Sequence, residues 1–159
     1  MFVIAALPRS RTAWLARFLS YGRESICLHD ITHMPDWTEK LKTLPHRNTG
    51  VADTSIGSTW ERIPENARIV TIRRDPRAVG WSIMSKYWQF PQSAIECCNE
   101  GLDQLERYRE VLSVAYEDVD RRLADIWSHC LDIPFDPTHA DEMCRLNIQI
   151  KSLGVYSHG

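Results

Sequence analysis

No stretch of the 159-residue chain approaches the roughly 18 consecutive apolar residues that a membrane helix needs, so no membrane protein is expected. The N-terminal apolar run, residues 2–7, is too short for a secretory leader and has no basic flank. It reads better as a buried strand. Cysteines number five, an odd count, and none stands in a CxxC pair. Cys27 falls in a strand-like run, and Cys98 and Cys130 fall at apolar helix positions. Free buried thiols in a reducing compartment fit this pattern better than a disulfide framework, which points to the cytoplasm. The chain also lacks GxxxxGK[ST], which argues against an ATP or GTP hydrolase. It carries no repeat and no low-complexity segment. What is there is ordinary: 43% apolar and 25% charged residues, in keeping with a single domain over residues 1–159.

The net charge of −2 conceals a division along the chain. Residues 1–95 hold 13 Lys/Arg against 8 Asp/Glu, whereas residues 96–159 hold 6 against 13. The positive charge is concentrated further still. Arg9, Arg11, Arg17 and Arg23 lie in a stretch with no acid, and Arg68, Arg73, Arg74 and Arg77 have only Asp75 among them. Local positive charge on a mildly acidic protein predicts a pocket for a small anion and no nucleic-acid face. The acidic second half reads as solvated surface.

Short apolar runs alternate with helical patterns. Residues 2–7, 25–28, 50–53, 67–72 and 114–116 are the strand candidates. Helices are predicted over residues 12–21, 35–44, from Pro76 onward, from Pro91 through Leu112, and over 123–131. In the first, Trp14, Leu15, Phe18 and Leu19 share a face and Gly22 offers a stop. From Pro91 onward, Ile95, Cys98, Leu102, Leu105 and Leu112 form a core-facing stripe. Trp14, Trp81, Trp88 and Trp127 read as packing residues. Apolar strands separated by helices imply an α/β protein whose parallel sheet is covered on both faces, with residues 2–7 and 68–73 as central neighbours.

Ligands of such sheets bind beyond the carboxyl ends of the strands. Two strand-to-helix turns there carry the arginines, Leu7-Pro8-Arg9-Ser10-Arg11-Thr12 and Arg73-Arg74-Asp75-Pro76. Unpaired N–H groups and the positive end of the helix dipole suit each turn to an anion. Two anion sites on one edge suggest a ligand with two separated phosphate groups.

Three motifs carry a family resemblance. Pro8-Arg9-Ser10-Arg11-Thr12-Ala13-Trp14-Leu15 resembles the donor loop of sulfotransferases, commonly Pro-Lys/Arg-Ser-Gly-Thr-Thr-Trp. Arg74-Asp75-Pro76, with Ser82 eight residues after the arginine, is similar to that family's 3′-phosphate motif. Leu112 to Val119, with Tyr116-Glu117-Asp118, resembles its Tyr-Glu-Asp-Leu strand end. The chain looks like a short, bacterial-type member of the sulfotransferases that use 3′-phosphoadenosine 5′-phosphosulfate (PAPS). The resemblance implies a three-layer α/β/α fold of the P-loop nucleotide-kinase type, with a central parallel sheet of about five strands. It departs from the family in having Arg11 at the usual glycine, which disfavours a left-handed backbone there and adds a cationic arm. It also has no Arg-Lys-Gly loop and little length for an acceptor lid.

The resemblance further implies transfer of a sulfuryl group from PAPS to an acceptor hydroxyl or amine, without a metal. The acceptor is a small molecule or a carbohydrate, and no nucleic acid or membrane takes part. The implied donor site comprises Arg9, Ser10, Arg11, Thr12, Ala13 and Trp14 around the 5′ end, and Arg74 with Ser82 at the 3′-phosphate. Arg9 stands at the family's lysine and would meet charge developing on the leaving phosphate. Eight residues span about 12 Å of helix, so Arg74 must lie in the turn before it. For the acceptor's general base the sequence offers His29, Asp30, His33 and Asp53. The His29/Asp30 pair is favoured, because short family members often carry a His-acid pair there. His29-Asp30-Ile31-Thr32-His33 imitates a zinc HExxH, but β-branched residues and Pro35 disfavour the helix that motif requires. Two rival readings stand beside this one: a small-molecule kinase-like phosphotransferase on the same fold, and a nucleotide-binding accessory protein without catalysis.

Overall fold

The computed structural model describes residues 1–88 and 91–146, so residues 147–159 of the expected 1–159 domain lie outside the described residues. Five strands, β1 (Phe2–Ala6), β2 (Ser25–His29), β3 (Asn48–Asp53), β4 (Arg68–Arg73) and β5 (Val111–Ala115), form one sheet in the order β2-β3-β1-β4-β5. Every pairing is parallel. The strand pair expected at the centre is there: Phe2 to Ala6 of β1 faces Arg68 to Ile72 of β4.

Six helices connect and cover the strands: α1 (Thr12–Phe18), α2 (Trp37–Lys42), α3 (Pro76–Tyr87), α4 (Gln92–Tyr108), α5 (Leu123–Cys130) and α6 (Pro137–Arg145). Two 3₁₀ segments, Ile56–Arg62 and Tyr116–Arg121, follow β3 and β5. Side chains alternate along β1, so one strand feeds two cores. Phe2, Ile4 and Ala6 pack with Trp14, Phe18 and Trp127 from α1 and α5. Val3, Ala5 and Leu7 pack with Trp37, Ile56, Leu102 and Leu105 on the opposite face. With both faces of β1 buried, its apolar run needs no alternation, and the architecture is three layers deep. Cys27 and Cys130 are buried free thiols, and burial pushes both up, holding them neutral.

Several expected elements end elsewhere. The helix from residue 12 stops at Phe18, and Gly22 serves the turn that follows, with φ of 54°. The leucine stripe does not run to Leu112. Helix α4 ends at Tyr108 because Arg109 is extended (φ −130°, ψ 151°) and donates to the carbonyls of Ile63, Pro64 and Glu65, and Leu112 lies in β5. Tyr116 opens a 3₁₀ turn instead of closing the strand. Helix α6 has no counterpart among the expected elements. Trp81 and Trp88 are 61% and 91% exposed, not core. The reason is local: α3 fully buries only Val79 and Gly80, and these two tryptophans fall on its outer side and end.

Candidate functional site

The carboxyl ends of all five strands open on one edge, and both arginine-bearing turns meet there. The loop after β1 bends twice through left-handed backbone, with φ of 64° at both Arg9 and Arg11. The second value reverses the sequence expectation for Arg11. Its guanidinium is engaged within the chain: it pairs with Asp120 at 2.7 Å and lies 4.4 Å over the Trp14 ring. Tertiary contacts thus hold a conformation that a glycine would adopt unaided. Between the two arginines, Ser10 is fully buried and its Oγ has no hydrogen-bond partner among the described residues. A buried hydroxyl without a partner is rare and marks a place built for something else to fill.

The β4–α3 turn joins the first. Asp75 caps α3 by accepting from the N–H groups of Arg77 and Ala78, with Pro76 at the first helical position. Arg74 stands just before this cap, in the turn, as the spacing to Ser82 demands. Its Nη1 donates to the carbonyl oxygen of Arg9, and its guanidinium lies 4.2 Å over the Tyr116 ring at the end of β5. Arg9 in turn donates from Nε to Ser82 Oγ at 3.2 Å. Arg9, Arg74 and Ser82 therefore form one cluster, although they lie in two separate segments.

The arginines divide by partnership. Arg11 pairs with Asp120, Arg68 with Asp132, and Arg73 with Asp103 and Glu106 on α4. Among the described residues, Arg9 and Arg74 make no ion pair. The same holds for the exposed Arg77 in the first turn of α3, so this edge carries guanidinium charge that no carboxylate of the described residues neutralises.

A cleft of about 380 Å³ adjoins the loop, lined by Pro8, Arg9, Arg11, Thr12, Ala13, His29, Asp30 and Thr54, with Ile83 and Tyr87 from α3. Here His29, the last residue of β2, bridges two partners. Its Nδ1 is 3.3 Å from Asp30 Oδ2 and its Nε2 is 3.0 Å from Thr12 Oγ1. In the tautomer with the proton on Nδ1, the nitrogen beside Asp30, Nε2 accepts from the Thr12 hydroxyl. Asp30 sits in left-handed backbone (φ 53°), and partial burial raises its carboxyl above the ordinary value, with His29 opposing.

Asp53 and His33 lie within electrostatic reach of Asp30, but neither lines the cleft. Asp53 is 1% exposed and accepts from the backbone N–H and the hydroxyl of both Thr32 and Ser55. Burial pushes its carboxyl up, but these four bonds outweigh burial and hold it below the usual range. It orders two loops and has no free lone pair aimed at the cleft. His33 lies in a turn after β2, so His29 and His33 share no helical face. Trp14 is also turned inward: its Nε1 donates to the Met143 carbonyl and its ring stacks on Phe18, which leaves only its backbone for a ligand.

Sequence reasoning overlooked Thr54, Ile83, Tyr87 and Asp120. Val79, Ile83 and Tyr87 had the spacing of a packing stripe, and the stripe does begin in the core. It then runs outward into the cleft wall. Asp120 had no local signal, because it meets Arg11 across 109 residues of chain.

No protein-family model matches the chain, and no curated protein matches it. Among solved structures it is similar to the mouse sulfotransferase SULT7A1 complexed with PAP, at 18% identity and a TM-score of 0.63, covering 91% of this chain and 62% of that one. A gluconokinase from Sinorhizobium meliloti aligns over 99% of this chain and 97% of its own, at 14% identity and a TM-score of 0.46. The chain thus has a sulfotransferase-like fold and spans under two thirds of the length of that mouse protein.

Proposed function

We propose that the protein is a sulfotransferase that takes a sulfuryl group from PAPS and passes it to an acceptor hydroxyl or amine in the cleft beside His29. The observation that carries this reading is the pair of guanidiniums without a carboxylate partner among the described residues, Arg9 and Arg74, joined by the bond from Arg74 to the Arg9 carbonyl, with Ser82 accepting from Arg9. One cationic cluster built from two strand ends fits a nucleotide with phosphate at both 5′ and 3′ positions. The resemblance of Arg74-Asp75-Pro76 and Ser82 to the family's 3′-phosphate motif supports the same assignment, as does the PAP named with the mouse protein. The buried, unpartnered Ser10 Oγ fits the 5′ end, where a phosphate oxygen would supply its missing bond.

The chemistry asked of this chain is charge neutralisation and one proton transfer. In the transfer, the acceptor oxygen or nitrogen bonds to sulfur as the sulfur–oxygen bond to the 5′-phosphate breaks, and the electron pair stays on the phosphate. Arg9 lies where it can meet that growing charge. His29, oriented by Asp30, takes the acceptor's proton at Nε2.

The test is selective stabilisation by nucleotides. At a hundredfold excess over its dissociation constant, a ligand adds about 2.7 kcal/mol, which in a domain of this size raises Tm by roughly 5–10 °C. Adenosine 3′,5′-bisphosphate is expected to give that rise, and ADP and ATP a much smaller one. Preference for ATP with magnesium would instead favour the phosphotransferase reading. Binding of the bisphosphate without turnover on any acceptor would favour the accessory protein.

A further inference from the structure

The hydrogen bond between Thr12 and His29 conflicts with the role given to each. Nε2 is the ring nitrogen left for the acceptor once Nδ1 faces Asp30, yet Thr12 Oγ1 holds it at 3.0 Å. A threonine hydroxyl has one proton to donate. While that proton is given to Nε2, the imidazole cannot accept another there. We propose that Thr12 gates His29: the hydroxyl blocks the base in the free protein and releases it when the donor nucleotide enters the loop.

The proposal rests on the sulfotransferase reading and on three features of the site. Thr12 is the first residue of α1, directly after left-handed Arg11, and lines the same cleft as Arg9 and His29. It is 4% exposed, so bulk water does not compete well for its hydroxyl. A phosphate oxygen is a charged acceptor, and bonds to charged acceptors are about twice as strong as neutral ones. The nucleotide therefore draws the Thr12 proton away from the imidazole. Nε2 is then open to the acceptor, and proton removal from the acceptor waits until the sulfuryl donor is in place. Thr12 acts here as a positioning residue, through His29.

Carbethoxylation of His29 by diethyl pyrocarbonate, followed by peptide mass spectrometry, reads the availability of the imidazole without any turnover. Releasing one net hydrogen bond is expected to raise the His29 rate about fivefold when adenosine 3′,5′-bisphosphate is added. Ligands ordinarily protect nearby side chains, so acceleration is a distinctive sign. Thr12→Val should react at the fast rate without nucleotide, and Thr12→Ser should behave as the parent protein does. Calorimetry on the same samples separates the two levels of the argument. If the bisphosphate binds and His29 reacts no faster, or more slowly, the gate is wrong and the sulfotransferase reading stands. If the bisphosphate does not bind, that reading fails and the gate falls with it. The comparison of the parent protein with and without nucleotide decides the question even if Thr12→Val does not fold.

Discussion

Replacing Arg74 by alanine tests the donor site at its most specific point. The substitution removes three things: the bond to the Arg9 carbonyl, the stack on Tyr116, and a guanidinium with no carboxylate partner among the described residues. The first two brace the β1 loop and bear on every nucleotide that binds there. The third bears only on a ligand with a 3′-phosphate. Loss of a charge-assisted, two-pronged contact costs about 1.5–3 kcal/mol. At 1.4 kcal/mol per decade, that is roughly a ten- to hundredfold weaker dissociation constant.

Calorimetric titration of adenosine 3′,5′-bisphosphate and adenosine 5′-monophosphate, at one fixed salt concentration, gives the ratio of their affinities. In Arg74→Ala that ratio should collapse by about 10- to 100-fold, because the bracing contributions cancel. Arg74→Lys restores the charge without the planar fork and should recover only part of it. Arg77→Ala is the control, since Arg77 lies exposed in the first turn of α3, three residues after Arg74. Arg73 is unsuitable, because it is tied to Asn99, Asp103 and Glu106 on α4. Parallel weakening of both nucleotides, with the ratio unchanged, would refute Arg74 as the reader of the 3′-phosphate.

Three other perturbations reach different parts of the molecule. Arg9→Ala should lower turnover by about 10²- to 10³-fold with a smaller loss of donor affinity, the pattern of a contact made chiefly in the transition state; steady-state kinetics against direct binding will show whether the two losses differ. Gly101→Ala should cost roughly 3 kcal/mol in urea unfolding, since its Cβ would sit 1.6 Å from the Gly57 carbonyl oxygen across the contact of α4 with the first 3₁₀ segment, whereas Gly22→Ala, in left-handed backbone with open space, should cost only about 1–2 kcal/mol. Asp53 has a lowered folded-state pKa, so its contribution to stability is complete above about pH 4 and is lost as pH falls through that lowered value; Asp53→Asn should be less stable near neutrality and show a flatter acid limb in unfolding between about pH 5 and 2.

The fold was legible where a single physical cause dominated. A strand with both faces buried is dominated by apolar residues: residues 2–7 are apolar throughout, and 67–72 are apolar apart from Arg68 at the strand's start and the buried Thr71. The helix α6 was not legible, because its buried face is only Ala140 and Met143, too sparse for a period. Its one signal was Asp136-Pro137, the same cap-and-proline pair that Asp75-Pro76 places before α3, and Asp136 does accept from Thr138 and His139 N–H groups. The end of α4 failed for the opposite reason: a leucine spacing continued past a boundary that long-range bonds from Arg109 set. Within the site, residues adjacent in sequence, such as His29 and Asp30, could be paired from the sequence. Those brought together by the sheet, such as Arg9 with Ser82 or Thr12 with His29, needed the fold.

Arg11 shows most clearly how local and tertiary rules trade places at this site. A non-glycine residue in left-handed backbone costs about 1–2 kcal/mol. The half-exposed pair with Asp120 offsets at most about 1 kcal/mol, and the stack on Trp14 about 0.5–1 kcal/mol. The two contacts together match the strain, which is why the conformation persists without glycine. They also tie one of the two loop cations into an internal ion pair at the cleft, which leaves Arg9 and Arg74 as the guanidiniums of the cluster without a carboxylate partner among the described residues. Arg11 therefore holds the left-handed bend of the loop without a glycine. Its cost is carried by Asp120 and Trp14, neither of which lines the cleft.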